Sequence, residues 1–86
     1  MLTEPDHVIA HQECDLSDQR GAFEALEAER CRIGMTVLDM EHRSGVAATS
    51  VYSWRKCARS PMLVNMVALA ETLGFEVVMR RKKVRV

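Results

Sequence analysis

The sequence predicts a mainly α domain of four helices, finished by a C-terminal β-strand that pairs across a dimer. Three observations carry this. Gly34, Gly45 and Gly74 punctuate stretches whose apolar residues recur at helical spacing. Ser60-Pro61 opens a further stretch of the same kind. Residues 75–79, Phe-Glu-Val-Val-Met, have the aromatic and β-branched content of a strand.

The elements follow in order. Residues 1–17 have no clear period and mix Pro5 with several acids, which reads as a flexible acidic leader. His7, His11 and Cys14 can share a helix face, but a fourth ligand and a closed frame for a metal are missing. Ser17 can cap a first helix running to about residue 32, with Phe23, Leu26 and Arg30 on one face and Gly34 as the stop. Thr36 followed by Asp39 resembles a capping box, so a second helix should run from residue 37 to about 44, with Val37, Met40 and Ser44 on one side. Gly45 supplies a turn into a third helix over about residues 47–56, anchored by Val51 and Trp54 at i and i+3. Ser60-Pro61 then starts a fourth helix with a cap and a proline at its first position, where the missing N–H costs nothing.

That fourth helix is apolar nearly all round between Met62 and Leu73, polar only at Asn65, Glu71 and Thr72. Such a helix must be buried on more than one side, and in a domain this small the second side belongs to another subunit. The strand after Gly74 has the same need, because a lone strand cannot satisfy its backbone groups. Both point to a two-fold homodimer in which residues 75 to about 84 pair antiparallel with their copies. The residues assigned to that interface are Met62, Met66, Leu69, Phe75, Val77, Val78 and Met79.

Composition narrows the function classes. An 86-residue chain with 48% apolar residues makes one small globular domain. No apolar run approaches the roughly 18 residues that span a membrane, and the acidic start lacks the form of a secretory signal. Three cysteines without a CxxC pair argue against a disulfide framework. A cytoplasmic chain with free thiols is expected. Formal net charge is zero but unevenly laid out. Residues 1–45 carry four Lys/Arg against ten Asp/Glu, a net of −6, and residues 46–86 carry eight against two, a net of +6. An acidic leader joined to a basic working surface fits this asymmetry. Enzyme chemistry finds no support: no nucleophile, phosphate-cradling glycine loop or convergent acid pair accompanies Glu41, His42 and Arg43. No cofactor is implied.

The order Gly34-Met35-Thr36, Ser44-Gly45-Val46, Val51-Tyr52-Ser53-Trp54-Arg55, Ser60-Pro61 and Leu73-Gly74 resembles the helix-turn-helix of the lambda-repressor/Cro (XRE-type) family. The likeness runs without a gap from about Leu26 to Phe75, more than half the chain. It implies three parts: a leader over residues 1–17, a DNA-binding domain over 18–74, and a dimerising strand and basic tail over 75–86. In such a motif the second helix of the pair lies in the major groove of double-stranded DNA. With Val51 and Trp54 inward, the outward positions are Ala48, Thr49, Tyr52 and Ser53. The family places base-edge contacts at positions matching Ala48, Thr49 and Ser53, and the position matching Tyr52 lies close to DNA. Arg55, Lys56 and Arg59 suit phosphates, as do the free backbone N–H groups at Thr36 and Val37.

Several positions depart from the family pattern. Val37 stands where a phosphate-binding glutamine is common, and Glu41 replaces a small alanine, so that it must point partly outward or pair with Arg43 or Arg55. Ala47 replaces the usual serine cap of the third helix, a loss of about 1 kcal/mol. Arg55 replaces a glutamate and Cys57 a glycine. The strand-like ending resembles HipB-type antitoxins and small phage regulators. The resemblance therefore implies a transcriptional repressor or autoregulator of phage or mobile-element type, reading a palindromic operator. Two other readings remain: an antitoxin-like protein that binds a toxin and autoregulates its operon, and a protein-interaction module on a degenerate helix-turn-helix.

Overall fold

The structure is a computed structural model and describes residues 12–83. The described residues hold four helices, as the glycine and apolar spacing predicts: α1 (Gln19–Ile33), α2 (Val37–Ser44), α3 (Ala48–Arg55) and α4 (Leu63–Thr72). His7 and His11 lie outside the described residues.

The helices α1 and α4 end in the same way. At the close of α1, Gly34 takes φ 75°, its N–H donates to the Cys31 carbonyl at 3.2 Å, and the Met35 N–H donates to Arg30 at 3.0 Å. These two bonds form a Schellman motif, which satisfies carbonyls the helix itself cannot. At the end of α4, Gly74 (φ 89°) does the same, with N–H bonds from Gly74 to Glu71 at 3.1 Å and from Phe75 to Ala70 at 2.9 Å. The α2 stop is the simpler αL form, a single bond of 2.9 Å from Gly45 to Glu41.

The starts differ from expectation at two places. Asp18, not Ser17, caps α1 by accepting from the Gly21 N–H at 3.0 Å. Ser17 donates instead to the Asp15 carboxylate through both its N–H (2.9 Å) and its hydroxyl (2.7 Å). Likewise α4 begins at Leu63 with Met62 as an N-cap that makes no side-chain bond, two residues beyond Pro61. Ser60 sends its hydroxyl to Gln19 at 2.9 Å. Thr36 caps α2 as predicted, accepting from the Asp39 N–H at 3.0 Å.

α1 packs against α3, and α2 against both α3 and α4. The core between them is Phe23 and Leu26 from α1, Met40 from α2, Trp54 from α3, Met66 and Leu69 from α4, and Met35, Val46 and Leu73 from the turns. Met66 and Leu69 are thus consumed by the chain's own core, Leu69 with 0% of its surface exposed. As assigned interface residues they offer a second copy no surface in this arrangement. The exposed apolar side of the α4 region is its first turn, at Met62, Leu63 and Val64.

Residues 75–83 form no strand among the described residues. A strand is defined by a ladder partner, and the described residues present none to this segment. Phe75 folds back on the core, while Val78 and Met79 are 67% and 99% exposed. The tail runs beside the leader, where Arg80 makes a two-pronged ion pair with Glu13 at 2.9 and 3.0 Å. Both groups are exposed, so this pair adds little to stability. A groove of about 860 Å³ lies between leader, α1, α4 and tail, with Leu16, Leu26, Phe75 and Val77 among its walls. No helix of the described residues is long and apolar enough to cross a membrane, and no cluster of metal-ligating side chains occurs among them.

Candidate nucleic-acid interface

The α2–α3 corner is built by residues whose chemistry fits no other place as well. Ser44 donates its hydroxyl to the Met40 carbonyl at 2.7 Å and accepts from the Val46 N–H at 3.1 Å, stitching the last turn of α2 to the connection. Gly45 turns the chain at φ 74°. Val46 then plugs into the core, and Ala47 sits extended as the first residue before α3. Ala47 supplies no side-chain cap, so the first N–H groups of α3 remain available to another acceptor.

The α3 helix is pinned from beneath. Trp54 is 7% exposed, and its ring lies 6.0 Å from that of Phe23 at a 49° tilt, within the range of favourable aromatic pairs. Val51 packs partly on the same core. The opposite face carries the residues assigned to base edges. Thr49 and Tyr52 are exposed, Tyr52 by 61%, whereas Ala48 and Ser53 are half-buried on the flanks. Lys56 holds its ammonium 4.7 Å from the centre of the Tyr52 ring. This contact joins a cation to a flat apolar surface beside the outward face.

The phosphate candidates separate into two kinds. Lys56 and Arg59 are exposed and enter no ion pair among the described residues. Arg55 is half-buried. The Glu27 carboxyl lies below the ordinary range, first through its hydrogen bonds from Arg30 and secondarily through the nearby charges of Arg30 and Arg55. At the start of α2, Thr36 spends an oxygen lone pair on its own helix, and Asp39 puts a negative charge in the same first turn. That charge opposes a phosphate at Thr36 and Val37. Glu41 is half-buried and has no ion-pair partner among the described residues, so it is not joined to Arg43 or Arg55.

Two structural features hold the far end of α3, and the local sequence pattern signals neither. Gln19 reaches from the first turn of α1 to the far end of α3, donating to the carbonyls of Trp54 at 2.8 Å and Arg59 at 2.6 Å. No local pattern signals a contact across 35 and 40 residues. The other is the role of Cys57, which has φ 62° and is the one non-glycine among the described residues with positive φ. Its N–H donates to Trp54 at 3.0 Å and the Ala58 N–H to Ser53 at 2.9 Å, so α3 ends in a Schellman motif with cysteine at the glycine position.

An L-residue in that region costs about 1–2 kcal/mol, whereas glycine adopts it freely and loses part of the gain to its greater unfolded entropy. Cys57→Gly is expected to stabilise the chain by about 1 kcal/mol, read as a higher urea midpoint at unchanged slope. A lower midpoint would show that Cys57 is not held left-handed.

Compared with known proteins, the chain matches no family model, no curated protein and no solved structure.

Proposed function

We propose that this chain is a homodimeric, sequence-specific DNA-binding regulator of transcription of the lambda-repressor/Cro type, with α3 as the reading helix. One observation carries the reading. The helix after the Gly45 corner is anchored by Trp54 and Val51 on one side and presents Thr49, Tyr52 and Ser53 on the other, flanked by the exposed cations Lys56 and Arg59. Such a helix meets base edges with its outward residues and phosphates with its flanking charge. Thr49 and Ser53 exchange hydrogen bonds with bases, and Ala48 and the Thr49 methyl meet thymine methyls. None of these has bidentate reach, so groove shape contributes to selection. The regulator acts in the cytoplasm as a repressor or autoregulator of phage or mobile-element type. Its two subunits join through residues 75 to about 84, paired as antiparallel strands, and through the exposed start of α4.

The test uses duplexes selected from a random library by the full chain. Thr49→Ala combined with Ser53→Ala should weaken the selected site by about 1–3 kcal/mol per lost base contact and random DNA hardly at all. Lys56→Ala should weaken both alike and flatten the salt dependence. Equal losses on selected and random DNA in the Thr49/Ser53 variant would remove these residues from the base edges. No selection of any sequence would remove the function.

A second reading, an antitoxin-like partner-binding protein that also binds its own operator, draws support from the exposed apolar Met62, Leu63, Val64, Val78 and Met79. Isolated from its host as a one-to-one complex with another protein, the chain would favour that reading. As a two-fold dimer it favours the first.

A further inference from the structure

We infer that Gln19 is a positioning residue for DNA binding, the clamp that fixes where the loop after α3 presents Arg59 to a phosphate. This rests on α3 being the reading helix. The half-buried Gln19 side chain uses every hydrogen-bonding direction that matters on one short segment. Its amide nitrogen donates to the Trp54 carbonyl (2.8 Å) and the Arg59 carbonyl (2.6 Å), and its oxygen accepts from the Ser60 hydroxyl (2.9 Å). Two carbonyl acceptors require the NH2 end and a hydroxyl donor suits the oxygen, so the orientation of the amide is settled by its partners.

The loop needs such a hold. Residues 56–60 are all exposed and contribute nothing to the core. The segment turns through a strained cysteine at φ 62°, and α4 starts beyond it without a side-chain cap. Segments with few buried contacts open at low cost. Gln19 ties both ends of this one: Trp54 at the anchored end, and Arg59 with Ser60 at the far end. A phosphate contact from Arg59 is worth its full strength only when its backbone is already in place, because ordering it on binding subtracts from affinity.

The experiment combines hydrogen exchange on the free chain with DNA binding across salt. Gln19→Ala should speed exchange at the Cys57 and Ala58 amides at least tenfold more than at the α2 amides. It should also reduce the slope of log affinity against log salt by about one unit, the worth of one phosphate. Between 50 and 200 mM salt that is about fourfold less weakening. Arg59→Ala should lower the slope equally, and the double variant should lower it no further. Gln19→Glu keeps the acceptor for Ser60 but loses both donors, and should behave like Gln19→Ala. Where Gln19→Ala does not fold, Ser60→Ala replaces it. That variant removes the third bond alone, and should give a smaller rise in exchange at Cys57 and Ala58 and a smaller loss of slope. An unchanged slope, additive effects of Gln19→Ala and Arg59→Ala, or wild-type exchange in the loop would each overturn the clamp. Wild-type chain that binds no duplex at any salt would refute the parent reading. Fast loop exchange in Gln19→Ala would then still mark the residue as purely structural and overturn its role toward DNA.

Discussion

Trp54→Ala is expected to leave most of the chain unfolded at 25 °C. Trp54 is 7% exposed, touches the Phe23 ring and belongs to a core of nine buried residues among those described. Truncating a buried tryptophan costs about 3–5 kcal/mol, because transfer free energy is lost and a cavity is left. A lone core in a domain of this size supplies roughly 3–5 kcal/mol. The substitution therefore removes about as much stability as the subunit holds. Far-UV circular dichroism during a urea titration reads this directly, with wild type as reference. Trp54→Phe retains the ring pair and should cost less, about 1–2 kcal/mol. Binding to selected and random DNA should fall together in Trp54→Ala, in contrast to Thr49 and Ser53. A folded, wild-type-like Trp54→Ala would mean that α3 is held by something other than this core.

What was legible in the sequence was what depends on neighbours in sequence. Gly34, Gly45 and Gly74 mark helix ends because a left-handed residue is needed there and glycine adopts it without cost. Thr36 marks a start because its hydroxyl reaches an amide three residues on. Ser17 and Ser60 carry the same chemical signal and mislead. The oxygen of one is drawn to Asp15 and that of the other to Gln19, a partner 41 residues away. Helix propensity has no view of such a competitor. Cys57 shows the opposite case, since only the match to a glycine position in a known motif marks it as left-handed.

The apolar α4 explains another misplacement. A helix apolar on most sides announces that it is buried, but not against what. Met66 and Leu69 went to the subunit's own core, and the outward remainder fell on Met62, Leu63 and Val64. The candidate site was legible to the extent that it is one outward helix face opposite Trp54 and Val51. The strengths of its phosphate groups were not. Whether a cation is free depends on which carboxylates the fold brings to it, as Glu13 is brought to Arg80 across 67 residues.

Removing residues 76–86 is expected to separate folding from pairing. Phe75 packs partly on the core, and its N–H closes the α4 Schellman motif at Ala70, so a chain ending at Phe75 keeps both. Cutting one residue earlier loses them, at about 1–2 kcal/mol for a partly buried aromatic. The shorter cut should therefore stay folded and become monomeric, while a cut before Phe75 should be destabilised as well. In the dimer reading, residues 75 to about 84 are the strand that pairs with its copy, which sets the reading helices about 34 Å apart, one turn of duplex. Breaking the pair forfeits the effective concentration of the second half-site and should weaken a palindromic operator by a hundredfold or more. The cut also discards Arg80, Arg81, Lys82, Lys83 and Arg85, and lost charge by itself weakens binding to any DNA. Val78→Ser with Met79→Ser removes that ambiguity, since every cation remains and only exposed apolar surface is lost. Sedimentation should find this variant monomeric where wild type is dimeric, with the operator loss retained and the affinity for random DNA close to wild type. A serine variant that remains a dimer would move the interface away from the tail, leaving the start of α4 to carry it.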